Sequence, residues 1–347
     1  MKKQKIRFYA ALLCSSMVFS LVSTPVSAAE TGQLTNPPTS TEELSSPESI
    51  SGNEAASALN GLSVLAANGE AEVTTASELT GALADSSISR ITLKGDIDIG
   101  STLTVNRTVT LDLNGCVLKM TGSDSVIKVE ADGDLTIQDR NTTTQHKFNP
   151  HCKYLTWYID MWELDNGGSE IVSGGVITGG GGDQSNGGGV LVAGGTLVMA
   201  GGSIVGCSAM SRGGGVCNNG TFIMSDGMIK GCTSPDGQYA SGGGVRNSNQ
   251  FTMTGGMIGD PDNENDASHV YNTSSQETTL TISGNAKIYT DITNVGILNA
   301  DGGEIAGTMT NDTNRYGTGT ITGSEGAAGS TKFQDKVTLA SRSCRCI

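Results

Sequence analysis

The sequence predicts an all-β protein that folds as a single right-handed parallel β-helix solenoid with a short N-terminal capping helix. The first observation is a glycine-rich repeat with copies at 187–207, 213–232 and 242–260. The second is that short alternating apolar pieces separated by Gly pairs have the period of strands broken by tight turns. The third is that equivalent positions carry the same residue type: Val190, Val216 and Val245; Leu197, Phe222 and Phe251; Met199, Met224 and Met253; Ile204, Ile229 and Ile258.

Units of this size cannot bury their apolar side alone, so the copies are expected to stack. Stacking in one direction places each strand parallel to its equivalent in the next turn, which predicts ladders of like side chains. Asn218, Asn247 and Asn272 each follow a repeat valine by two residues. They fit either an inward asparagine ladder that bonds to backbone groups at a bend or surface turn residues.

The region before the coil divides into three predicted segments. Residues 1–28 have a basic start, an apolar stretch and a small-residue cleavage site, which is typical of a secretory signal peptide. Residues 29–68 form a Ser/Thr/Pro/Glu-rich leader that we expect to be disordered. Thr75 and Glu78 have capping-box spacing, which predicts the short helix whose expected role is to cover the first turn of the coil.

The parallel β-helix is expected to occupy 69–325, with about nine or ten turns of about 25 residues each. Its early turns include an Asn114-Gly115 pair between two strand segments, a tight-turn signal. The sequence pattern fades toward 326–347, which we interpret as an irregular tail; a truncation or a change of reading frame would also account for it.

One segment, 140–168, does not fit the repeat and is predicted to be an aromatic-rich excursion from one turn of the coil. In a chain with 4% aromatic residues, it holds both tryptophans. These aromatics either pack the segment onto the coil or contact a ligand such as a glycan. The candidate ligand contacts are Tyr154, Trp157, Tyr158 and Trp162.

The composition agrees with an extracellular protein. The formal net charge is −14, and such a surface repels nucleic acid and anionic lipid, so neither is an expected partner. No stretch of the mature chain has the roughly 20 apolar residues that a membrane span requires. Cys207 and Cys232 occupy equivalent repeat positions and are expected to be neighbours, either as two stacked buried thiols, the favoured interpretation, or as a disulfide.

The runs GGGV, LTV, ITLKGDI and VTLDLNG, taken with the repeat, resemble right-handed parallel β-helix proteins of the pectate-lyase-like superfamily. The resemblance covers roughly 85–320 and is to secreted or surface proteins of gut-dwelling bacteria. The Gly-Gly-apolar pattern is also similar to that of polymorphic membrane proteins and related adhesins, although their Phe-x-x-Asn repeat is absent. The resemblance implies the fold; the same fold carries lyases, glycosidases and adhesins.

The repeat offers few carboxylates that would converge on one face, so no catalytic residue, metal ligand or cofactor is assigned. The spacing allows Asp112, Asp134 and Lys128 to meet across turns, an arrangement that would favour an enzyme. The acidic stretch 260–266 is interpreted as a solvated turn, with calcium binding as the alternative.

We therefore predict a secreted, extracellular or surface-associated, non-catalytic protein for adhesion or for binding of a glycan or host-surface protein. A polysaccharide lyase or glycoside hydrolase is the alternative.

Overall fold

The computed structural model describes residues 69–152, 160–181, 186–234, 242–263, 266–273, 277–312, 320–322, 332–333 and 338–340. These ranges contain one helix, α1 (Ala76–Ala84). The strands in chain order are β1 (Glu70–Val73), β2 (Arg90–Leu93), β3 (Ile97–Ile99), β4 (Leu103–Val105), β5 (Thr108–Asp112), β6 (Val117–Met120), β7 (Ile127–Val129), β8 (Asp134–Gln138), β9 (Gln145–Cys152), β10 (Asp160–Leu164), β11 (Glu170–Ser173), β12 (Val176–Thr178), β13 (Val190–Val192), β14 (Thr196–Val205), β15 (Val216–Asn218), β16 (Thr221–Lys230), β17 (Val245–Asn247), β18 (Gln250–Met253), β19 (Met257–Ile258), β20 (Val270–Asn272), β21 (Thr279–Ile282), β22 (Lys287–Ile288), β23 (Ile292–Asn294), β24 (Ile297–Ala300), β25 (Glu304–Ile305), β26 (Met309–Asp312), β27 (Thr320–Thr322), β28 (Lys332–Phe333) and β29 (Thr338–Ala340).

All strands except β9, β10 and β11 stack into three columns of parallel strands, and from β2 onward the chain visits the columns in a fixed order. Column 1 contains β1, β2, β5, β8, the first part of β14, the first part of β16, β18, β21, β24 and β27. Column 2 contains β3, β6, β12, the second parts of β14 and β16, β19, β22, β25 and β28. Column 3 contains β4, β7, β13, β15, β17, β20, β23, β26 and β29.

The strand pairing confirms the predicted all-β, parallel β-helix fold. Because β14 and β16 run through two columns, columns 1 and 2 form one 17-stranded sheet, and column 3 forms a 9-stranded sheet. The repeat positions pair as expected: Val190 with Val216, Phe222 with Phe251, and Ile204 with Ile229. All of these side chains are buried in one continuous core. Phe222 and Phe251 stack with ring centroids 4.5 Å apart.

An asparagine ladder runs along the inside of the coil at the ends of column 3 strands. The side-chain amide of Asn218 donates to the Asn247 Oδ1 atom at 2.8 Å, and that of Asn247 donates to Asn272 at 2.7 Å. Asn294 and Asn311 continue the ladder, each bond again being 2.7 Å long. The amides also donate to backbone carbonyls of the column 1 strand in the next turn; that of Asn247 donates to Thr279 of β21. The ladder alternative for these residues is therefore the one adopted.

The N-terminal helix forms where the capping box predicts it. The Thr75 hydroxyl accepts from the Glu78 backbone N–H at 3.3 Å, and the Glu78 carboxylate accepts from the Thr75 N–H at 3.1 Å. Leu79 and Ala82 bury their side chains in the main core. The role of α1 as a cap for the first turn stays a prediction.

The excursion is a small antiparallel sheet. Strand β9 lies in the middle and pairs with β10 on one side and β11 on the other. The chain leaves column 1 after β8 and returns to column 2 at β12, so the sheet is inserted within one turn of the coil.

Several predicted segments lie outside the described residues, including the signal peptide 1–28, the leader 29–68 and most of the tail 326–347. Strands β28 and β29 lie beyond residue 325, where we place the end of the coil, and continue columns 2 and 3. The domain boundaries remain predictions. Within the described ranges, no helix has the length and apolarity needed to cross a bilayer.

Candidate binding site

The antiparallel sheet packs on the outer face of column 2. In that column Ile177, Ile204 and Ile229 point into the coil, so their neighbours along each strand point outward. Some of these outward side chains are apolar, whereas a surface that faces solvent is expected to carry polar side chains. Together with the inserted sheet they form a second core, which consists of Phe148, Trp162, Val172, Val176 and Val205, with Leu164 and Met228 packed against it.

Trp162 is the largest side chain of the second core and only 1% of its surface is exposed. Its ring centroid lies 6.4 Å from that of Phe148, and its backbone N–H donates to the Gly231 carbonyl at 3.4 Å. A Cβ atom on Gly231 would lie 2.2 Å from the indole, and one on Gly206 would lie 1.9 Å from the Trp162 carbonyl oxygen. Two glycines at the corners of the coil therefore permit the close approach of the sheet.

A buried ion pair lies beneath the indole. The Lys230 Nζ atom is 4.1 Å from the centroid of the Trp162 ring and 3.2 Å from the Asp260 Oδ2 atom. The side chains of Lys230 and Asp260 are 9% and 7% exposed. The Trp162 ring and the Asp260 carboxylate stabilise the lysine charge in place of the water that is excluded from this site.

Replacing Gly231 with Ala tests this docking arrangement. We expect Gly231→Ala to displace the indole and to destabilise the protein by about 1–3 kcal/mol, because the new methyl group meets Trp162 and the residue has φ +61°. In a Trp157→Phe background, Trp162 is the sole tryptophan, and its fluorescence should shift to longer wavelength. Gly69→Ala is the control, since Gly69 has φ +76° but a nearest contact of 3.2 Å. Unchanged emission in Gly231→Ala would show that the indole lies elsewhere.

A pocket of about 350 Å³ opens between the inserted sheet and the coil. Trp162, Glu163 and Leu164 of β10 form one wall. The opposite wall is formed by Lys119, Met120, Thr121, Gly122, Thr178, Gly179, Gly180, Gly181, Gly206 and Ser208. The indole N–H of Trp162 is buried and has no hydrogen-bond acceptor among the residues that the structure describes. A pocket of this size with a few polar side chains suits one or two sugar units.

Of the four predicted ligand contacts, Trp162 is described and lines this pocket. Its ring is mostly covered by Lys230 and the second core, which corresponds to the packing alternative for the aromatic segment. Contact between Trp162 and a ligand stays a prediction. Tyr154, Trp157 and Tyr158 lie outside the described residues. The pocket residues Lys119, Thr178 and Ser208 were not expected, because sequence spacing does not show which turn the inserted sheet covers.

Asp112, Asp134 and Lys128 each have a different partner. Asp112 is fully buried and pairs with Arg140, while also accepting from Gln138 at 3.0 Å. Asp134 accepts from the Thr108 hydroxyl at 3.2 Å, and Lys128 pairs with Glu130 at 2.7 Å.

Asp112 has a structural role at the point where the chain leaves the coil. Burial by itself raises the pKa of Asp112, but hydrogen bonds from Gln138 and Arg140, with the charge of Arg140, outweigh it and hold the pKa below its usual value. The carboxylate therefore stays ionised at neutral pH and contributes stability that is lost as the pH falls through its lowered pKa.

The solvated-turn interpretation of 260–266 is wrong for its two ends. Asp260 and Asp266 are both buried, because Lys230 and the backbone N–H groups of Gly231 and Ser268 supply their partners. Asp262 is exposed, as expected. In the ranges described here, no group of three His, Cys, Asp or Glu side chains is placed to hold a metal ion, and calcium binding stays a prediction.

Cys207 and Cys232 are buried neighbours without a disulfide. Burial raises the pKa of the Cys232 thiol well above its usual value, and the adjacent Cys207 adds to that shift. The favoured interpretation of stacked thiols agrees with this arrangement.

Part of the chain is similar to a known protein family. Residues 70–172 match the family described as "Putative pectate lyase-like adhesive domain". The match to this adhesive domain begins at β1 and ends within β11, so it covers the early turns and the inserted sheet. It confirms the resemblance to pectate-lyase-like β-helix proteins; the gut-bacterial source stays a prediction. No curated protein and no solved structure matches the chain.

Proposed function

We propose that this protein is a secreted or surface-exposed, non-catalytic β-helix that binds glycans in adhesion, through the pocket between the inserted sheet and the coil. The observation that carries the proposal is the pocket itself, which combines Lys119 and Glu163 with hydroxyl groups such as those of Thr121 and Ser208. Sugars are recognised by many hydrogen bonds to hydroxyls, and these side chains provide both donors and acceptors. The adhesive-domain match includes β6, which belongs to one wall of the pocket, and β10, which belongs to the other.

The partners of Asp112 and Asp139 support a binding role over a catalytic one. Asp112 is committed to Arg140, and the Asp139 carboxylate accepts from the backbone N–H groups of Gly115 and Gly175, each at 2.7 Å. Carboxylates held in this way stabilise turns and are poor candidates for transferring protons to a substrate. A lyase or hydrolase on this fold is the alternative function.

The test is a glycan array probed with the purified full chain, followed by calorimetric titration of the best binder. We expect Lys119→Ala to weaken binding about tenfold, since one hydrogen bond from a charged donor is lost. Lys287→Ala is the matched control, because Lys287 is an exposed lysine on the outer face of the same column, far along the coil. Equal affinities in the two variants would refute the pocket as the binding site. Calcium-dependent release of unsaturated product from a polyuronide would instead favour the lyase.

A further inference from the structure

Lys230 and Asp260 form a close pair that links consecutive turns of the coil. Lys230 is the last residue of β16, and Asp260 follows β19, the strand that pairs with β16 in the next turn. The Nζ and Oδ2 atoms are 3.2 Å apart, and neither side chain exceeds 9% exposure. A nucleophilic nitrogen and a carboxyl carbon are thus held within reach in a site with little water.

A second carboxyl group lies beside this pair. Both oxygens of Asp266 accept from the backbone N–H of Gly231, the residue next to Lys230, at 3.2 and 3.3 Å. Burial raises the pKa of Asp266, and the charge of Asp260 adds to the shift against opposing hydrogen bonds from Ser268 and Gly231. Asp266 therefore holds a proton more readily than an exposed aspartate does.

The Trp162 ring closes the site on the remaining side, 4.1 Å from the lysine nitrogen. Fixed proximity replaces the encounter that two free reactants would need. Formation of an amide bond releases one water molecule, which would leave the site. Solvent is already largely excluded from this site.

We propose that Lys230 and Asp260 condense to an intramolecular amide bond that links two turns of the coil, with Asp266 transferring the protons. First, the lysine ammonium gives a proton to the Asp260 carboxylate. The Nζ lone pair then forms the bond to the Asp260 Cγ atom. Asp266 gives its proton to the departing hydroxyl oxygen as the carbon–oxygen bond breaks, and takes one back from Nζ. The products are one secondary amide and one water molecule, with no oxidation or reduction.

Such a bond has a clear structural use. The four cysteines whose side chains are described are all free, so no disulfide joins the turns in these ranges. An amide between Lys230 and Asp260 would fix the turn on which Trp162 and the inserted sheet rest. It would make this contact independent of redox conditions.

Mass spectrometry of the purified full chain tests the proposal, after circular dichroism has verified its β-structure. We expect an intact mass one water molecule lower than the sequence mass, taken as the mass calculated for the purified chain between its observed termini. A tryptic digest should contain a branched peptide joining the segments of Lys230 and Asp260, and trypsin should not cleave after Lys230. An intact mass equal to that of the sequence, with full cleavage after Lys230, would overturn the proposal.

Variants locate the bond and identify its proton carrier. Lys230→Arg and Asp260→Ala should restore the full mass, whereas Asp260→Asn should still cross-link with loss of ammonia instead of water. Asp266→Asn should give a folded chain without the bond. Lys128→Arg is the control, because Lys128 and Glu130 form a 2.7 Å pair whose side chains are each 38% exposed; the water deficit of this variant should remain. A deficit retained in Lys230→Arg would place the lost water at another residue and refute the proposal.

Discussion

Replacing Ile229 with Asp is expected to unfold the coil, with a loss of about 4 kcal/mol or more in the free energy of unfolding. Ile229 is fully buried in the main core between Ile204 and Ile258 of the adjacent turns. An aspartate there would lose its hydration and find no partner, and it would interrupt the row of apolar side chains on both sides. Thermal and urea unfolding followed by circular dichroism measure the change.

The matched control for this prediction is Ile223→Asp in the same strand. Ile223 points to the outer face of column 1, where Val198 and Thr252 flank it, and it is half-buried. We expect its replacement to cost no more than about 1 kcal/mol, because the carboxylate reaches water. Equal losses in the two variants would contradict the assignment of inner and outer faces in β16.

Replacing Asn247 with Leu is expected to cost about 2–4 kcal/mol, because it leaves several buried polar groups unpaired. The Asn247 amide donates to Asn272 at 2.7 Å and to the Thr279 carbonyl at 2.8 Å, and its oxygen accepts from Asn218 at 2.8 Å. Leu has the same number and branching of side-chain heavy atoms as Asn but forms none of these bonds. The measurement is again the free energy of unfolding, taken from urea denaturation.

Asn249→Ala serves as the comparison, since Asn249 is half-buried and lies outside the ladder. We expect its effect to stay within about 1 kcal/mol. If Asn247→Leu is as stable as Asn249→Ala, the ladder is dispensable, and the apolar rows alone hold the turns in register.

Most of the coil could be predicted from the sequence, because the residue pattern that specifies it is periodic. The valines of column 3, the apolar pairs of column 1 and the isoleucines of column 2 recur at nearly constant spacing, and stacking is the only way for such short strands to bury them. The Asn114-Gly115 turn was readable for a local reason, as both residues have positive φ values, 49° and 76°. The helix start was equally local, since its capping box involves residues three apart.

The candidate site was harder to predict from the sequence, because its contacts join parts of the chain that no repeat relates. Trp162 was singled out by composition, but its packing against Gly206 and Gly231 depends on where the inserted sheet folds back. Outward apolar residues in column 2, such as Val205 and Met228, were a signal for a covered face. The sequence alone does not identify the covered face, because an outward position has the same place in the repeat whether solvent or another sheet lies over it.

The amino-acid sequence by itself determined the parallel coil, the inward rows, the start of the helix and the presence of a non-repeating aromatic segment. These follow from periodicity and from interactions between near neighbours in the chain. Only the tertiary structure decided that the segment forms an antiparallel sheet on column 2, that Lys230 and Asp260 meet beneath Trp162, and that Asp112 pairs with Arg140. The physical reason is that burial of a charge depends on which distant surface covers it, and a single aspartate or lysine carries the same local signal whether it faces water or a buried partner.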